Sequence, residues 1–557
     1  MRCWLAKIST DQAVEKLAFG GVLKGHSFGC AVRVLYFCHP EWALAREEPA
    51  LSLSKGAAFR TFSTAAEVRH TCRGVLLVVA GLLLSAGCAV GPKYHQPSAP
   101  TPPAYKGMVD WKTAQPSDQN LGGNWWEIFQ DPQLNALQQQ INVSNQNLKQ
   151  ATAQYQQARA ALRYVRADYF PTLTANPSAT REKYSQNRSP RSPLFNGITF
   201  NDFTFPVDLS YQTNAWGRVT RNVQSYRAQA QASAADLAVV NLSMHADLAV
   251  DYFAARTLDA EEKLLRNTVV AYEKALHLNE DLYQGGLASE VEVEQARTIL
   301  ETTRAQMIDV GVARAQYEHA VAVLIGEPPA EFSLPALPLT TPPPPIPVGI
   351  PSELLERRPD IAASERLVAS ANAQIGLQET AYYPLVNIVA SGGFDSGAIT
   401  TLFQGPSAIW SVGAAAVQTI FDAGRRRAGV DQAKAGYDSS VASYRQTVLT
   451  AFQQVEDNLA ALRILEQEAG VQATAVEAAQ RSLELSQIRF EGGVTSYLEV
   501  ITAQNAALSD EVTAVNILGR RMASAVLLIQ ALGGGWDKSS LPERPECCGK
   551  LPVGVGD

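Results

Sequence analysis

Few side chains in this 557-residue chain are placed to do chemistry, and the clearest is a thiol. Cys88 follows Ala86-Gly87 and an uncharged stretch rich in Leu and Val, Gly74 to Ala86, which itself follows Arg69 and Arg73. A basic flank, a short apolar run and small residues before the cut make a secretory signal. A cysteine in that place has the form of a bacterial lipoprotein signal, whose thiol is acylated, although Ser85 stands where such signals usually carry Leu. The competing reading is a membrane-spanning helix. The stretch between Arg73 and Lys93 is uncharged over nearly the ~20 residues a span needs, and it is the only run apolar enough to be read that way; Gly81, Gly87 and Gly91 weaken it. Ala89 follows the cysteine, so no Asp directs retention in the inner membrane. A signal starts near a chain terminus. The expected translation start is therefore near Val68, with 1–67 a doubtful extension and 68–87 the signal peptide.

Other chemistry is sparse. Four further cysteines lie before Cys88 and two, Cys547 and Cys548, near the end; none lies between. The fold is expected to stand without disulfides or thiolate metal sites. His95, His245, His277 and His319 occur singly, without partners at metal-ligand spacing. No phosphate-cradling Gly-x-x-x-x-Gly-Lys-Ser/Thr run occurs. No catalytic residue, metal or cofactor is expected, and the chain is not read as an enzyme. A net charge of −7 argues against a broad nucleic-acid surface. Arg425-Arg426-Arg427 reads as a solvated cluster or a lipopolysaccharide contact.

The elements behind these residues are written twice. Gly217-Arg218 returns as Gly424-Arg425, Gly285-Gly286-Leu287-Ala288-Ser289 as Gly492-Gly493-Val494-Thr495-Ser496, Glu292-Val293 as Glu499-Val500, and Ile325-Gly326 as Leu532-Gly533, all at an offset of 207. Tyr169-Phe170-Pro171 returns as Tyr382-Tyr383-Pro384 at an offset of 213, so the first copy carries a longer loop between its proline and its Gly-Arg. The spacing predicts one helix over 132–168, opened by Asp131-Pro132 and carrying a heptad stripe from Leu134 to Tyr169 in which only Ser144 is polar. Proline-free runs predict long helices over 218–282 and 425–490, with a return helix over 288–325. At 1.5 Å per residue each long helix would reach about 100 Å. Strand-like segments sit at 172–184, 203–211, 385–395 and 408–419. Phe203, Phe205, Val207, Leu209 and Tyr211 alternate with polar residues, as lipid on one face requires; Pro206 weakens that strand. Prolines 342–345 mark an extended connector.

About four membrane strands cannot close on themselves, because open edges leave backbone groups unpaired in lipid, and single-chain barrels need about eight or more. Two copies would pool eight strands and three would pool twelve. The fold class expected is mainly α with a small membrane β part, in two tandem repeats of helix, two strands, long helix and helix.

Cys88-Ala-Val-Gly91-Pro92-Lys-Tyr94, Trp125-Trp126-Glu-Ile-Phe129, Trp216-Gly217-Arg218, Ile325-Gly326-Glu-Pro328-Pro329, Arg357-Arg358-Pro359-Asp360-Ile361 and Phe421-Asp422-Ala-Gly424-Arg425 together resemble the TolC-like outer-membrane factors. The likeness is in particular to the lipoprotein branch serving resistance–nodulation–division (RND) efflux systems. The resemblance covers about 88–535. It implies a homotrimer with a twelve-stranded β-barrel continuous with a periplasmic α-helical barrel, anchored in outer-membrane lipid by Cys88. It also implies a periplasmic adaptor and an inner-membrane RND pump as partners. The expected layout is a lipidated segment over 88–130, repeats over 131–334 and 352–535, a connector over 335–351 and a disordered tail over 536–557.

The same resemblance places the adaptor-contact tips at Gly285, Gly286, Leu287 and Ser289, and at Gly492, Gly493, Val494, Thr495 and Ser496. It places a periplasmic gate at Tyr497, Leu498, Glu499 and Thr502, with Glu292 as the repeat mate of Glu499. Thr502 stands where many relatives carry an acidic residue. Carboxylates at a constriction would draw cations; a solvated helix flank is the plainer alternative for both glutamates. The nearest rival function is the outer-membrane channel of a type I protein secretion system. A fibrous coiled-coil adhesin explains the heptads, but not the strand pairs or the turns.

Overall fold

The computed structural model of the protein describes residues 89–106, 124–185, 197–346 and 354–541, all within one compact unit, Arg73–Asp557. Cys88, the signal peptide and the extension before it lie outside the described residues, as do 542–557 of the tail.

The first helix starts as its residue types dictate. The Asp131 carboxylate accepts the N–H groups of Gln133 (2.9 Å) and Leu134 (3.1 Å), and Pro132 fills the first turn, where no donor is missed. The expected single helix over 132–168 is, however, two: α1 (Pro132–Ser144) and α2 (Gln146–Arg166). Asn145 breaks them and caps the second by accepting the Leu148 N–H at 2.9 Å. The break is held from outside. The Ser144 hydroxyl donates to the Ile325 carbonyl and the Asn145 amide to the Leu324 carbonyl. Gly326 comes so close that a Cβ there would sit 2.6 Å from the Ser144 carbonyl oxygen. The one polar position in the heptad stripe thus serves a contact with the far end of another helix.

Two short strands follow, β1 (Thr172–Ala175) and β2 (Ser178–Lys183), interrupted near Pro177. Both pair antiparallel with β3 (Thr199–Gln212), so they act as one broken strand. Then come α3 (Arg218–Gln284), which at 67 residues spans about 100 Å, and α4 (Glu290–Ile325). The second pass runs α5 (Pro359–Glu379), β4 (Leu385–Ser396), β5 (Ala408–Val417), α6 (Arg425–Glu491) and α7 (Tyr497–Ala531).

The sheet order is β1/β2–β3–β4–β5, antiparallel throughout. Pro206 lies opposite Gly393, where a Cβ would meet the Phe205 carbonyl oxygen at 2.1 Å. A glycine partner is what admits the proline into the ladder. Among the described residues, β1/β2 and β5 each keep one edge without a strand partner.

Only α7, among the described helices, is long and apolar enough to cross a membrane, with a mean hydropathy of 1.4 in its best window. It is a second such run beside the one expected at 73–93, most of which lies outside the described residues. Its Val526, Leu528 and Ile529 are buried in the main core, together with Trp125, Trp126, Leu134, Ile141, Tyr252 and Phe452. The connector is pinned to α3: Arg256 donates to the Pro335 carbonyl, and Leu337 N–H reaches Asp259 at 2.9 Å. The expected tail is partly built. Trp536 and Leu541 pack on Ala235, Ala362 and Ala363, and Lys538 lies 3.5 Å from the buried Glu365 carboxylate.

Residues 89–106 run along the helices as an extended arm. Val90 N–H donates to the Trp216 carbonyl (3.3 Å), and the Arg221 guanidinium donates to the carbonyls of Val90 and Gly91, both at 2.8 Å. Tyr94 donates to Glu365 at 2.5 Å, and Gln96 to the Tyr444 hydroxyl at 3.3 Å. Gly91, at φ 103°, passes Gly376 so closely that a Cβ would lie 2.4 Å from its Cα.

Candidate functional site

Two features occupy the ends of the helical wall: the hairpin turns at one end and the sheet at the other. At the first turn, Gly285 N–H donates to the Asp281 carbonyl (3.0 Å), and Leu287 and Ala288 donate to the Leu282 carbonyl. Gly286 adopts φ 74°, which favours glycine. The second turn repeats this geometry. Gly492 donates to Ile488 (3.0 Å), Gly493 sits at φ 70°, and Val494 donates to Arg489 (2.9 Å). Leu287 and Val494, at the two apices, are 81% and 70% exposed, so each turn presents an apolar side chain outward rather than to its own core.

The residues after the turns differ in their work. Ser289 and Ser496 are the N-caps of α4 and α7, each with Glu three residues on. In the first, the Glu292 carboxylate accepts the Ser289 N–H at 2.9 Å, closing a capping box. In the second, Glu499 lies instead 3.5 Å from the Arg489 guanidinium, with both side chains about half exposed. The two glutamates thus have different partners within the chain: one carboxylate is bound to backbone and the other reaches toward α6.

Tyr497 is buried, its ring 5.2 Å from that of Phe490 and packed with Ala296 and Val500, and burial pushes its phenol up. Leu498, Glu499 and Thr502 are exposed, and the Thr502 hydroxyl donates to the Leu498 carbonyl at 2.8 Å. Sequence reasoning missed a groove of about 680 Å³ beside the first turn, where Glu290, Val291, Glu294 and Thr298 of α4 face Leu498 and Ile501 of α7. The three- and four-residue spacing of the α4 set was the available signal.

At the sheet end, Trp216 stacks on Tyr383 at 5.0 Å and donates to the Pro384 carbonyl at 2.8 Å. Of the three consecutive arginines, Arg426 pairs with Asp422 at 2.6 Å and lies over the Tyr382 ring, while the exposed Arg427 lies 4.0 Å from Asp431. No group of three metal-ligating side chains assembles among the described residues.

Comparison with known proteins gives these ends a context. The family model described as "outer membrane efflux protein" matches residues 137–327 and 350–534. The chain is 32% identical over 479 residues to the solvent efflux pump outer membrane protein SrpC of Pseudomonas putida, covering 82% of this chain and 97% of that one. It is 29% identical to the outer membrane protein OprJ of Pseudomonas aeruginosa, covering 85% and 98%. Among solved structures, the outer-membrane channel OprN superposes with a TM-score of 0.75 at 28% identity, over 81% of this chain and all of that one. The Campylobacter jejuni CmeC outer membrane channel gives 0.75 at 25%, over 81% and 96%.

Proposed function

The chain belongs to the outer membrane efflux protein family, and from that premise we propose that three copies form the exit duct of a tripartite RND-type efflux pump. In this reading twelve strands close one barrel in the outer membrane, and the helices continue it as a tunnel into the periplasm. The observation that carries it is the open sheet. Four strand positions, with edges on β1/β2 and β5 unpaired among the described residues, cannot sit in lipid alone. β5 runs antiparallel to β1, so a neighbour's β1/β2 continues the alternation.

Cys88, acylated, anchors the assembly; the residue after it, Ala89, lies beside Gly217 at the start of α3. The turns at Gly285–Ser289 and Gly492–Ser496 meet a periplasmic adaptor through Leu287 and Val494. Leu498, Glu499 and Thr502 line the closed periplasmic end, with Tyr497 supporting them from the protein side. The likeness to efflux relatives favours this over a type I secretion channel. The duct conducts passively; the chain contributes no catalytic step.

Purified protein reconstituted in a planar bilayer should show discrete single-channel conductance and should crosslink as a trimer. Glu499→Gln should reduce preference for cations over anions. A protein that inserts as a monomer without conductance would end the proposal. An unchanged ion preference in the variant would remove Glu499 from the gate.

A further inference from the structure

The long helix α3 shows two unlike faces. His245, Tyr252, Arg256 and Asp259 look toward α1 and the connector: His245 meets Gln138, Tyr252 donates to Asp131 at 2.6 Å, and Arg256 donates to Gln133 at 2.6 Å. At 100° per residue, Asp247 and Asp251 fall on the far side, roughly 200° and 240° round from His245. There α3, α4 and α7 leave a cleft of about 650 Å³. Val250, Val323, Leu324 and Leu527 form its apolar surface, and Asp247, Asp251 and His319 its polar edge. Val323 and Leu527 remain 63% and 39% exposed, so apolar side chains of three helices lie open beside two carboxylates.

Among the described residues, no cationic side chain pairs with either carboxylate. Burial raises both, and the charge of Asp247 raises Asp251 further, to about 6. Arg314, on the same stretch of α4, is committed to Asp259 at 3.1 Å and to Glu318. His319 is the remaining titratable group lining the cleft, and α7 contributes Leu527 alone.

We propose that this cleft binds lipophilic monovalent organic cations on the inner wall of the duct, as a station between the periplasmic end and the barrel. The placement on the inner wall rests on the duct reading above, because the belt of α1 and connector occupies the opposite face. The chemistry selects the occupant. An anion meets two uncompensated negative charges. A small divalent ion finds no third ligand and leaves the apolar surface wet. A bulky apolar cation covers that surface and brings its charge to Asp247 and Asp251. The cleft is open and shallow, so binding is weak enough to release, as conduction requires.

The test uses the full acylated protein in detergent and two probes of equal shape and opposite charge, tetraphenylphosphonium and tetraphenylborate, measured by equilibrium dialysis. Saturable binding of tetraphenylphosphonium is expected, with none of tetraphenylborate above a detergent blank. The double variant Asp247→Asn, Asp251→Asn should weaken binding about tenfold while keeping its oligomeric state. Leu527→Ser should weaken it less. Equal binding of both probes, or an unchanged affinity in the double variant, overturns the proposal. Conductance of the same preparations separates the two readings. A conducting protein without charge-selective binding sinks only the cleft, and a binding protein without conductance sinks the duct.

Discussion

The two hairpins, α3–α4 and α6–α7, share their turns but not the interior of their distal halves. In the first, α3 buries Leu265, Val269, Tyr272 and Asn279 beyond residue 258, and α4 answers with Val293, Ala296, Ile299 and Leu300. In the second, the last buried side chain of α6 is Leu465. Beyond it α6 brings Leu483 and Phe490, only partly buried, against Tyr497 and Val500 near the turn, and its other ties to α7 are polar: Gln472 to Asp510 (3.0 Å), Gln480 to Glu511 (2.5 Å) and Arg489 to Glu499 (3.5 Å). The repeat offset explains why. Leu265, Tyr272 and Asn279 correspond to Gln472, Ala479 and Ser486. Each buried apolar side chain contributes about 1.5–3 kcal/mol, whereas an exposed ion pair contributes about 1 kcal/mol or less. The neighbours differ too: α3 packs against α2, α4, α5 and α7, and α6 chiefly against α5 and α7. The flank left open follows β5, whose outer edge also has no strand partner among the described residues. One side of the chain is finished within itself and the other keeps an open flank.

The largest effect should come from emptying the finished side. Tyr272→Ala should cost about 3 kcal/mol or more, read as a lowered denaturant midpoint of the detergent-solubilised protein. A loss under about 1 kcal/mol would mean that the apolar seam is not what holds the first hairpin.

Next is pH. His245, buried and stacked on Trp126 at 4.4 Å, has as its repeat mate Phe452, which cannot ionise. Burial lowers the imidazole from 6.5 to about 4. Its neutral form is therefore the stable one. The contribution is complete above pH 6.5 and is lost as pH falls toward 4, the loss amounting to about 2 kcal/mol at pH 5. The drop in midpoint between pH 7.5 and pH 5 should shrink by that amount in His245→Phe; an equal drop would place the acid sensitivity elsewhere.

Amide exchange addresses the open flank. In monomeric protein, residues 466–491 should exchange about tenfold or more faster than 258–284, and the gap should close on oligomerisation. Equal rates in the monomer would erase the contrast. The smallest effect is expected from Arg489→Ala, at under about 1 kcal/mol. A larger loss would make that exposed pair a structural tie.

Much of this was readable beforehand. Long helices, returns and strands fall within a few residues of the expected ranges, because heptad spacing, proline stops and period-two alternation are local signals. The break at Asn145 was hidden because Ser144 fits the stripe and acquires its role only from Ile325, far along the chain. Ser289-x-x-Glu292 carried a legible capping signature, and Ser496-x-x-Glu499 carries the same one, yet only the first closes. Arg489, brought in by α6, competes for the second, and no spacing rule reveals that. The docking of Trp536 and Leu541 depends on a pocket of alanines contributed by two other helices.

The arm has a consequence for how this doubled chain holds together. It precedes both copies and belongs to neither, yet it bonds Arg221 of α3, Asn372 and Glu365 of α5, and Tyr444 of α6. It works as a stitch across the join. Either half expressed alone would lack its seam, and two separated halves would need that leading thread to find each other again.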